Sequence, residues 1–497
     1  MRSTFCLKAL SVAIATFSVA SAASAAGLDR SGQDITAFLQ DGTYAETVYT
    51  YIDADVTGRD NAYIGTDDKA YNKGNKIGDI AEDYDFFRYG VKTDINDTFS
   101  VGILYDEPFG AAADYVGDNN FVAQGDLDNA INIISNGNAT GLVDASNKID
   151  RLSAGAQLQA EAAAKFAQQA QNATTPQQAA QLAAQAKAAQ DQALELKGQA
   201  ESLGAAVASA QVEKSTTGEG TNVEVRTENV TAILGAKLGT NKEFQIYGGP
   251  VAQQVQADVA LRGVAYGLAN GYTAHISSDQ DFGWLAGVSY SKPEIALKAA
   301  LTYRSEIEHN TNIGEQYPIV AALDGNPNQA GTIEITTPKS VNFDFQTGIN
   351  PTTLATAKVR WVPWGDFAIV PPLYNEVSKR ATGDDKGLAL VSYDDDQWQV
   401  ELGLAKRLTP ALAVSGNIGW DSGAGNPVTS LGPIEGYYSA GLGAKYNVTD
   451  NWAISAGGKY LWFGDAEGQI PTKKVVSNFE DNDGYIVGVK LSYQAAQ

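Results

Sequence analysis

The chain has 497 residues, 58 acidic against 35 basic, and a single cysteine, Cys6. A formal charge of −23 argues against a nucleic-acid partner, whose phosphates call for a basic face. One cysteine excludes an intramolecular disulfide or a Cys-rich metal site, and beyond the N-terminus no stretch approaches the ~20 apolar residues of a membrane helix.

The N-terminus reads as a secretory signal. Arg2 and Lys8 precede an apolar stretch, Ala9 to Ala20, and small residues lead to an Ala23-Ser24-Ala25 cleavage motif. Residues 1–25 are thus expected to be removed, leaving 58 acids, 33 bases and no thiol. An exported chain of this size, rich in Tyr and Gly, is either a large periplasmic protein or a β-barrel.

Period-2 patterning decides for the barrel. A membrane strand needs about 9–11 residues, apolar toward lipid and polar toward the lumen. Near the N-terminus Val48, Thr50, Ile52, Ala54 and Val56 alternate with Thr47, Tyr49, Tyr51, Asp53 and Asp55. Further on, Ile295, Leu297, Ala299, Leu301 and Tyr303 alternate with Ala296, Lys298, Ala300, Thr302 and Arg304. The clearest case is the last: Tyr485, Val487, Val489, Leu491 and Tyr493 against Ile486, Gly488, Lys490 and Ser492. Short turns rich in Asn, Asp, Gly or Pro, such as Asp94–Asp97, Gly239–Lys242 and Asn447–Asn451, alternate with long polar connections. The pattern predicts fourteen strands near 46–57, 84–93, 98–106, 221–238, 244–262, 279–290, 295–305, 340–349, 353–362, 395–407, 411–420, 436–446, 452–463 and 483–493. An even count puts both termini on the periplasmic side. Tyr105, Tyr303, Trp361, Trp420 and Trp462 end upward strands, while Tyr290, Tyr446 and Tyr493 end downward ones. Two aromatic belts suit the two membrane interfaces. A soluble β-sandwich would have to bury them at both ends of many strands.

One long connection is of another kind. Residues 144–209 are rich in Ala and Gln, strong helix formers. Thr175-Pro176-Gln177-Gln178 reads as an N-cap, an N1 proline and a capping-box Gln, so one helix should end near Asn172 and a second begin at Pro176. Leu182, Ala186, Ala189, Ala193, Leu196, Ala200, Leu203 and Val207 give the second a heptad seam. The expectation is an antiparallel helical hairpin in an outer loop after the third strand, projecting roughly 45 Å. It is either a surface element with a partner or a loop without one.

No catalytic constellation stands out, so no enzyme activity, cofactor or metal is expected. His275 and His309 read as surface or rim residues, and Asp394-Asp395-Asp396 as a solvated strand entrance rather than a calcium site. By strand parity Arg88, Lys92, Lys298, Arg304, Lys358, Arg360, Lys445 and Lys459 point into the lumen, as do Asp53, Asp55 and Glu401. These bases either attract an anionic headgroup or neutralise acids inside a filled interior; both can hold together.

Phe282-Gly283-Trp284-Leu285-Ala286-Gly287 through Leu301-Thr302-Tyr303-Arg304-Ser305-Glu306-Ile307-Glu308-His309, and Tyr105-Asp106-Glu107-Pro108-Phe109-Gly110 with Tyr115, resemble segments of the FadL-type outer-membrane fatty acid transporters. Thr337-Pro338-Lys339-Ser340, Arg360-Trp361-Val362-Pro363-Trp364, Asp395-Asp396-Gln397-Trp398 and Asp450-Asn451-Trp452 follow in the family's order. The resemblance implies an all-β, fourteen-stranded antiparallel barrel at residues 46–493, with an N-terminal hatch at 26–45 plugging its lumen and a short tail at 494–497. It implies passive passage of long-chain fatty acids or similar hydrophobic molecules across the outer membrane of a Gram-negative cell, leaving sideways through the wall near the third strand. On that basis Arg88, Lys298, Arg304 and Arg360 are candidate ligand contacts, and Ser100, Gly102 and Leu104 a candidate lateral exit, with a kink expected at Gly102. The expected partners are the ligand, outer-membrane lipid and a surface partner of the insert, around a monomer. Uptake of hydrocarbons or aromatic compounds, or a barrel that merely anchors an adhesive hairpin, are the alternatives. Three departures stand out: the family's Asn-Pro-Ala hatch motif is missing, the chain ends Gln494-Ala495-Ala496-Gln497 rather than on an aromatic residue, and the helical insert is large.

Overall fold

The computed structural model describes residues 27–62, 71–323 and 325–495; the expected signal peptide lies outside them. The chain forms one closed antiparallel barrel of fourteen strands. In order these are β1 (Tyr44–Asp55), β2 (Tyr84–Asp94), β3 (Phe99–Asp106), β4 (Asn222–Leu238), β5 (Phe244–Ala260), β6 (Thr273–Lys292), β7 (Leu297–Arg304), β8 (Ser340–Asn350), β9 (Thr353–Val362), β10 (Gln397–Arg407), β11 (Leu412–Asp421), β12 (Glu435–Asn447), β13 (Trp452–Gly464) and β14 (Asp483–Gln494). Each pairs with its neighbours in sequence, and β14 closes on β1 with Tyr44 opposite Gln494 and Asp55 opposite Asp483. Closure leaves no strand of the ring without a partner on each side, as a bilayer demands of strands that cross it.

The alternation read from the sequence becomes a lipid face and a lumen face. On β14, Tyr485, Val487, Val489 and Leu491 are exposed, while Ile486, Lys490 and Ser492 are buried inside. Leu234, Phe282, Leu301, Ile418, Leu442 and Ile454 extend this exposed apolar surface around the barrel. In water such a surface would be a liability; in a membrane it is the solvent contact. Among the described residues no helix is long and apolar enough to cross a membrane.

Several strands outrun the bilayer. β4 and β5 have 17 residues each and β6 has 20, against the ~9–11 a membrane needs. Their outer ends, with continuations at Gly110–Asp114, Ile307–Gln316 and Asn328–Thr337, raise the wall on the outer side. The outer part of the interior is filled with apolar side chains, among them Ile52, Val223, Val259, Ile276, Ile313, Ile335, Trp364, Leu431 and Phe479.

β1 corrects one expectation. Asp53 and Asp55 do not face the lumen; Ile52 and Ala54 are buried there, and Tyr51 and Asp53 face out. The Tyr485 hydroxyl donates to Asp53 at 2.7 Å on that outer surface. The physical reason is depth: the strand's upper end lines the apolar outer interior, so its β-branched residues turn in. Its Tyr and Asp residues then meet water at the interface.

The loop after β3 carries α1 (Leu127–Ile134), α2 (Leu142–Gln171) and α3 (Pro176–Ser215). α2 and α3 pack side by side as a hairpin, with Thr175 Oγ1 accepting from Gln178 N at 3.3 Å as the N-cap. Ala189, Ala193, Ala200 and Leu203 of the heptad seam are buried. The root of α3 is anchored in the barrel's rim: Ser209 donates to Gly267 O at 2.8 Å, and Glu213 accepts from Gln124 N and Asn270 Nδ2, each at 2.8 Å. Burial raises the Glu213 carboxyl above its ordinary range.

Candidate functional site: a clamped lumenal hatch beneath an apolar outer chamber

Residues 27–43 run through the barrel. Apolar hatch residues Ile35, Ala37, Phe38 and Leu39 pack on Leu104, Ile233, Tyr247, Leu285 and Ala300 of the wall. The wall makes room by omitting side chains. A Cβ on Gly90 would lie 2.7 Å from Ala37 Cβ, one on Gly102 2.7 Å from Phe38 Cδ2, and one on Gly235 2.9 Å from Phe38 Cζ. The three glycines lie on adjacent strands, since Gly90 pairs with Leu104 and Ser100 with Gly235. Substituting any of them would push the hatch off its seat.

The polar side of the hatch is clamped by the lumenal bases. Arg360 grips Asp29 with two bonds, Nε to Oδ2 at 2.7 Å and Nη2 to Oδ1 at 2.9 Å, and adds Asn342 Oδ1 at 2.9 Å and Gln33 Oε1 at 3.2 Å. Lys358 donates to Asp34 at 3.0 Å, and Arg88 lies 3.5 Å from the same carboxylate. Lys92 donates to the carbonyls of Gln40 and Gly42 at 2.6 and 3.0 Å, and Lys298 to that of Leu39. Ser31 donates to Asp106 at 2.8 Å, and Ser340 to Gln33 at 2.6 Å. Forked guanidinium–carboxylate pairs fix geometry as well as charge.

Of the candidate ligand contacts, Arg88, Lys298 and Arg360 therefore touch the hatch. Arg304 differs: Nη1 donates to Thr231 at 3.2 Å, and its buried Nε has no partner among the described residues. Asn229 and Asp106 Oδ1 are likewise buried without a hydrogen bond. Ser100, Gly102 and Leu104 all face inward toward the hatch. The kink expected at Gly102 is not there. Its pairing runs unbroken between Lys92 and Ile233, and the missing side chain serves Phe38 instead.

Above the hatch lies an apolar seam. Val223, Val225, Ala257, Val259, Ala274 and Ile276 of β4–β6 face Ile369, Pro371, Leu390, Tyr393 and Leu431 of the outer loops, with Leu28 of the hatch below. Its cavity volume is only about 30 Å³, room for a water or two. Helix α4 (Pro372–Thr382) starts directly after Pro371 of this lining, its first turn capped by Glu315, which accepts from Leu373 N and Tyr374 N at 2.9 and 3.0 Å.

His309 is not a surface residue. It is fully buried, Nε2 3.0 Å from Gln253 Oε1 and Nδ1 3.4 Å from Asp279, and burial lowers its affinity for a proton. His275 is exposed beside Asp258. Among the described residues no His, Cys, Asp or Glu cluster is arranged to hold a metal ion.

Residues 211–494 match the family model described as outer membrane protein transport protein (OMPP1/FadL/TodX). The chain belongs to this family. It is an outer-membrane β-barrel that transports hydrophobic small molecules. The fold agrees with solved structures of low sequence identity. A Pseudomonas aeruginosa FadL homologue is 12% identical over 92% of this chain and 91% of its own, with a TM-score of 0.57. The P. putida toluene transporter TodX is 11% identical over 93% and 92%, with a TM-score of 0.50. No curated protein matches this chain. The hatch of this FadL/TodX member lacks the Asn-Pro-Ala motif, and its ion pairs with the wall centre on Asp29 and Asp34. Neither residue stood out in the sequence. Their signal was an excess of lumenal bases with few lumenal acids to match.

Proposed function

We propose that this barrel carries long-chain fatty acids or similarly hydrophobic molecules across the outer membrane passively, without covalent chemistry. Ligand enters at the outer loops, partitions into the apolar seam above the hatch, and leaves sideways through the wall near β3. The observation that carries this reading is the division of the interior: apolar side chains fill the outer part, and a charge-clamped hatch bars the way straight down. A buried acyl chain gains about 0.8 kcal/mol per CH₂, so chain length should dominate affinity. Arg304, whose Nε is unengaged, supports a carboxylate-bearing ligand.

Uptake of uncharged aromatic or aliphatic hydrocarbons is the second reading. It is favoured by the seam itself, whose lining among the described residues holds no base; besides Tyr393 its one ionisable side chain there is Asp258. Labelled oleate and labelled toluene, offered separately to cells making the protein, separate the two. Oleate uptake that falls in Arg304→Ala supports the first; toluene uptake indifferent to Arg304→Ala supports the second. No uptake of either above that of cells lacking the protein would sink both.

A further inference from the structure

The wall between β2 and β3 is incomplete. The two strands pair from Asp94 opposite Ser100 up to Tyr89 opposite Tyr105. Above that level β2 continues through Arg88 to Tyr84, paired only with β1. The strands meet again at Ala81 and Ala113, with Glu82 N donating to Ala112 O at 3.3 Å. Among the described residues no backbone hydrogen bond joins 84–88 to 107–111. Unpaired backbone is costly in a barrel wall, and here the chain solves it by turning inward. Pro108 and Gly110 pair with the hatch: Arg30 N donates to Pro108 O and Gly110 N to Leu28 O, each at 2.7 Å.

One hatch side chain spans the resulting gap. The Arg30 guanidinium lies over the Tyr84 ring, 3.9 Å from its centroid, on the β2 edge. On the β3 edge it occupies a notch left by Gly110, where a Cβ would stand 2.4 Å from Arg30 Cζ. Arg30 is 4% exposed, forms no ion pair among the described residues, and its Nε has no partner. The neighbouring Asp29 is held by a forked salt bridge; Arg30 is held by a ring face, a fitted space and the looser attraction of Glu107 and Glu224. It can leave without breaking a salt bridge.

We propose that Arg30 is the latch of a side window between β2 and β3, and that hydrophobic cargo passes when this one side chain swings aside while the rest of the hatch stays docked. The proposal rests on the transport reading above, with its sideways exit. The window opens beside Tyr89 and Tyr105, so it connects the apolar seam to lipid near the outer interface. Its ligand class is the cargo itself, molecules soluble in the bilayer.

The test measures access first and transport second. A thiol is placed behind the window with Leu28→Cys, in a chain whose only other cysteine is Cys6. Its reaction with a maleimide carried on a hexadecyl chain in the bilayer is compared with reaction with a charged, water-soluble maleimide. Adding Arg30→Ala is expected to raise the lipid-borne rate at least tenfold and to change the water-borne rate less than twofold. Refilling the notch from the wall with Gly110→Trp, or Gly110→Leu where Trp prevents folding, should return the lipid-borne rate to its starting value. An unchanged lipid-borne rate in Arg30→Ala, or a rate that notch filling does not lower, overturns the latch. Oleate uptake by the same variants is read in parallel. Faster labelling with faster uptake supports latch and exit together; faster labelling with unaltered uptake keeps the latch and overturns the sideways exit.

Discussion

Removing the Asp29 carboxylate should unseat the hatch. Its side chain is 0% exposed and that of Arg360 5%, and two charge-assisted bonds of 2.7 and 2.9 Å join them. In Asp29→Ala the guanidinium keeps only the neutral acceptors Asn342 and Gln33. Breaking a buried pair from one side costs about 3–5 kcal/mol, because a charge is left uncompensated. At about 1.4 kcal/mol per decade, the balance between docked and undocked hatch should shift roughly 10²- to 10³·⁵-fold toward undocked. Single-channel recording in a planar bilayer reads this as more frequent ion-conducting openings. Asp29→Ala/Arg360→Met removes both charges and should close the barrel again, since replacing a buried pair by apolar residues is often neutral. Asp29→Ala as closed as the parent, or a double variant as leaky as the single, would refute the reasoning.

Other consequences are simpler to check. Leu301→Arg or Val489→Arg should destabilise the barrel by about 2–4 kcal/mol where the site lies near the bilayer midplane, measured by denaturant unfolding in lipid; both residues face out and are half exposed. Ser455→Asp should cost far less, because it places an acid between Lys445 and Lys490 inside the lumen. Replacing residues 144–200 by a short Gly/Ser loop should leave folding and oleate uptake intact; a cut to 209 removes Ser209 and its anchor and should loosen the rim, seen as faster proteolysis. His309 should make the rim sensitive to acid. Its folded pKa is lowered, so its contribution is present above the ordinary value of about 6.5 and lost as pH falls through the lowered one. The protection of amides at 307–316, taken relative to the intrinsic exchange rate at each pH, should therefore fall between pH 7 and 5, and His309→Gln should flatten that dependence.

What the sequence disclosed was what repeats. Alternation over β14 named the lipid face residue by residue, and Thr175-Pro176 marked the start of α3 because capping chemistry is local. The hatch was not legible in the same way. It has no period, and its lock joins residues as far apart as Asp29 and Arg360, which no local pattern connects. β1 misled because alternation gives two faces without saying which one is wet; above the membrane the apolar face turns inward. The break in the wall was signalled at Pro108, not Gly102. Proline has no N–H to give a ladder, whereas a strand glycine can equally mark a neighbour's close approach, here that of Phe38.

Magnitudes favour a route that leaves the hatch in place. Going straight down requires breaking the Asp29–Arg360 and Asp34–Lys358 pairs as well as the bonds from Lys92 and Ser340. The first of these alone sets about 3–5 kcal/mol against the ligand. A ligand gains about 0.8 kcal/mol per CH₂ only while its tail stays buried, and most of that gain is already present in the apolar seam. It is not released again by pulling the hatch apart. Moving Arg30 off the Tyr84 ring gives up a cation–π contact, about 0.5–2 kcal/mol, and breaks no ion pair among the described residues. A cargo that dissolves in lipid loses nothing by leaving through that side, whereas below the hatch its tail would face the water of the periplasm. The easier displacement and the more favourable destination thus lie in the same direction.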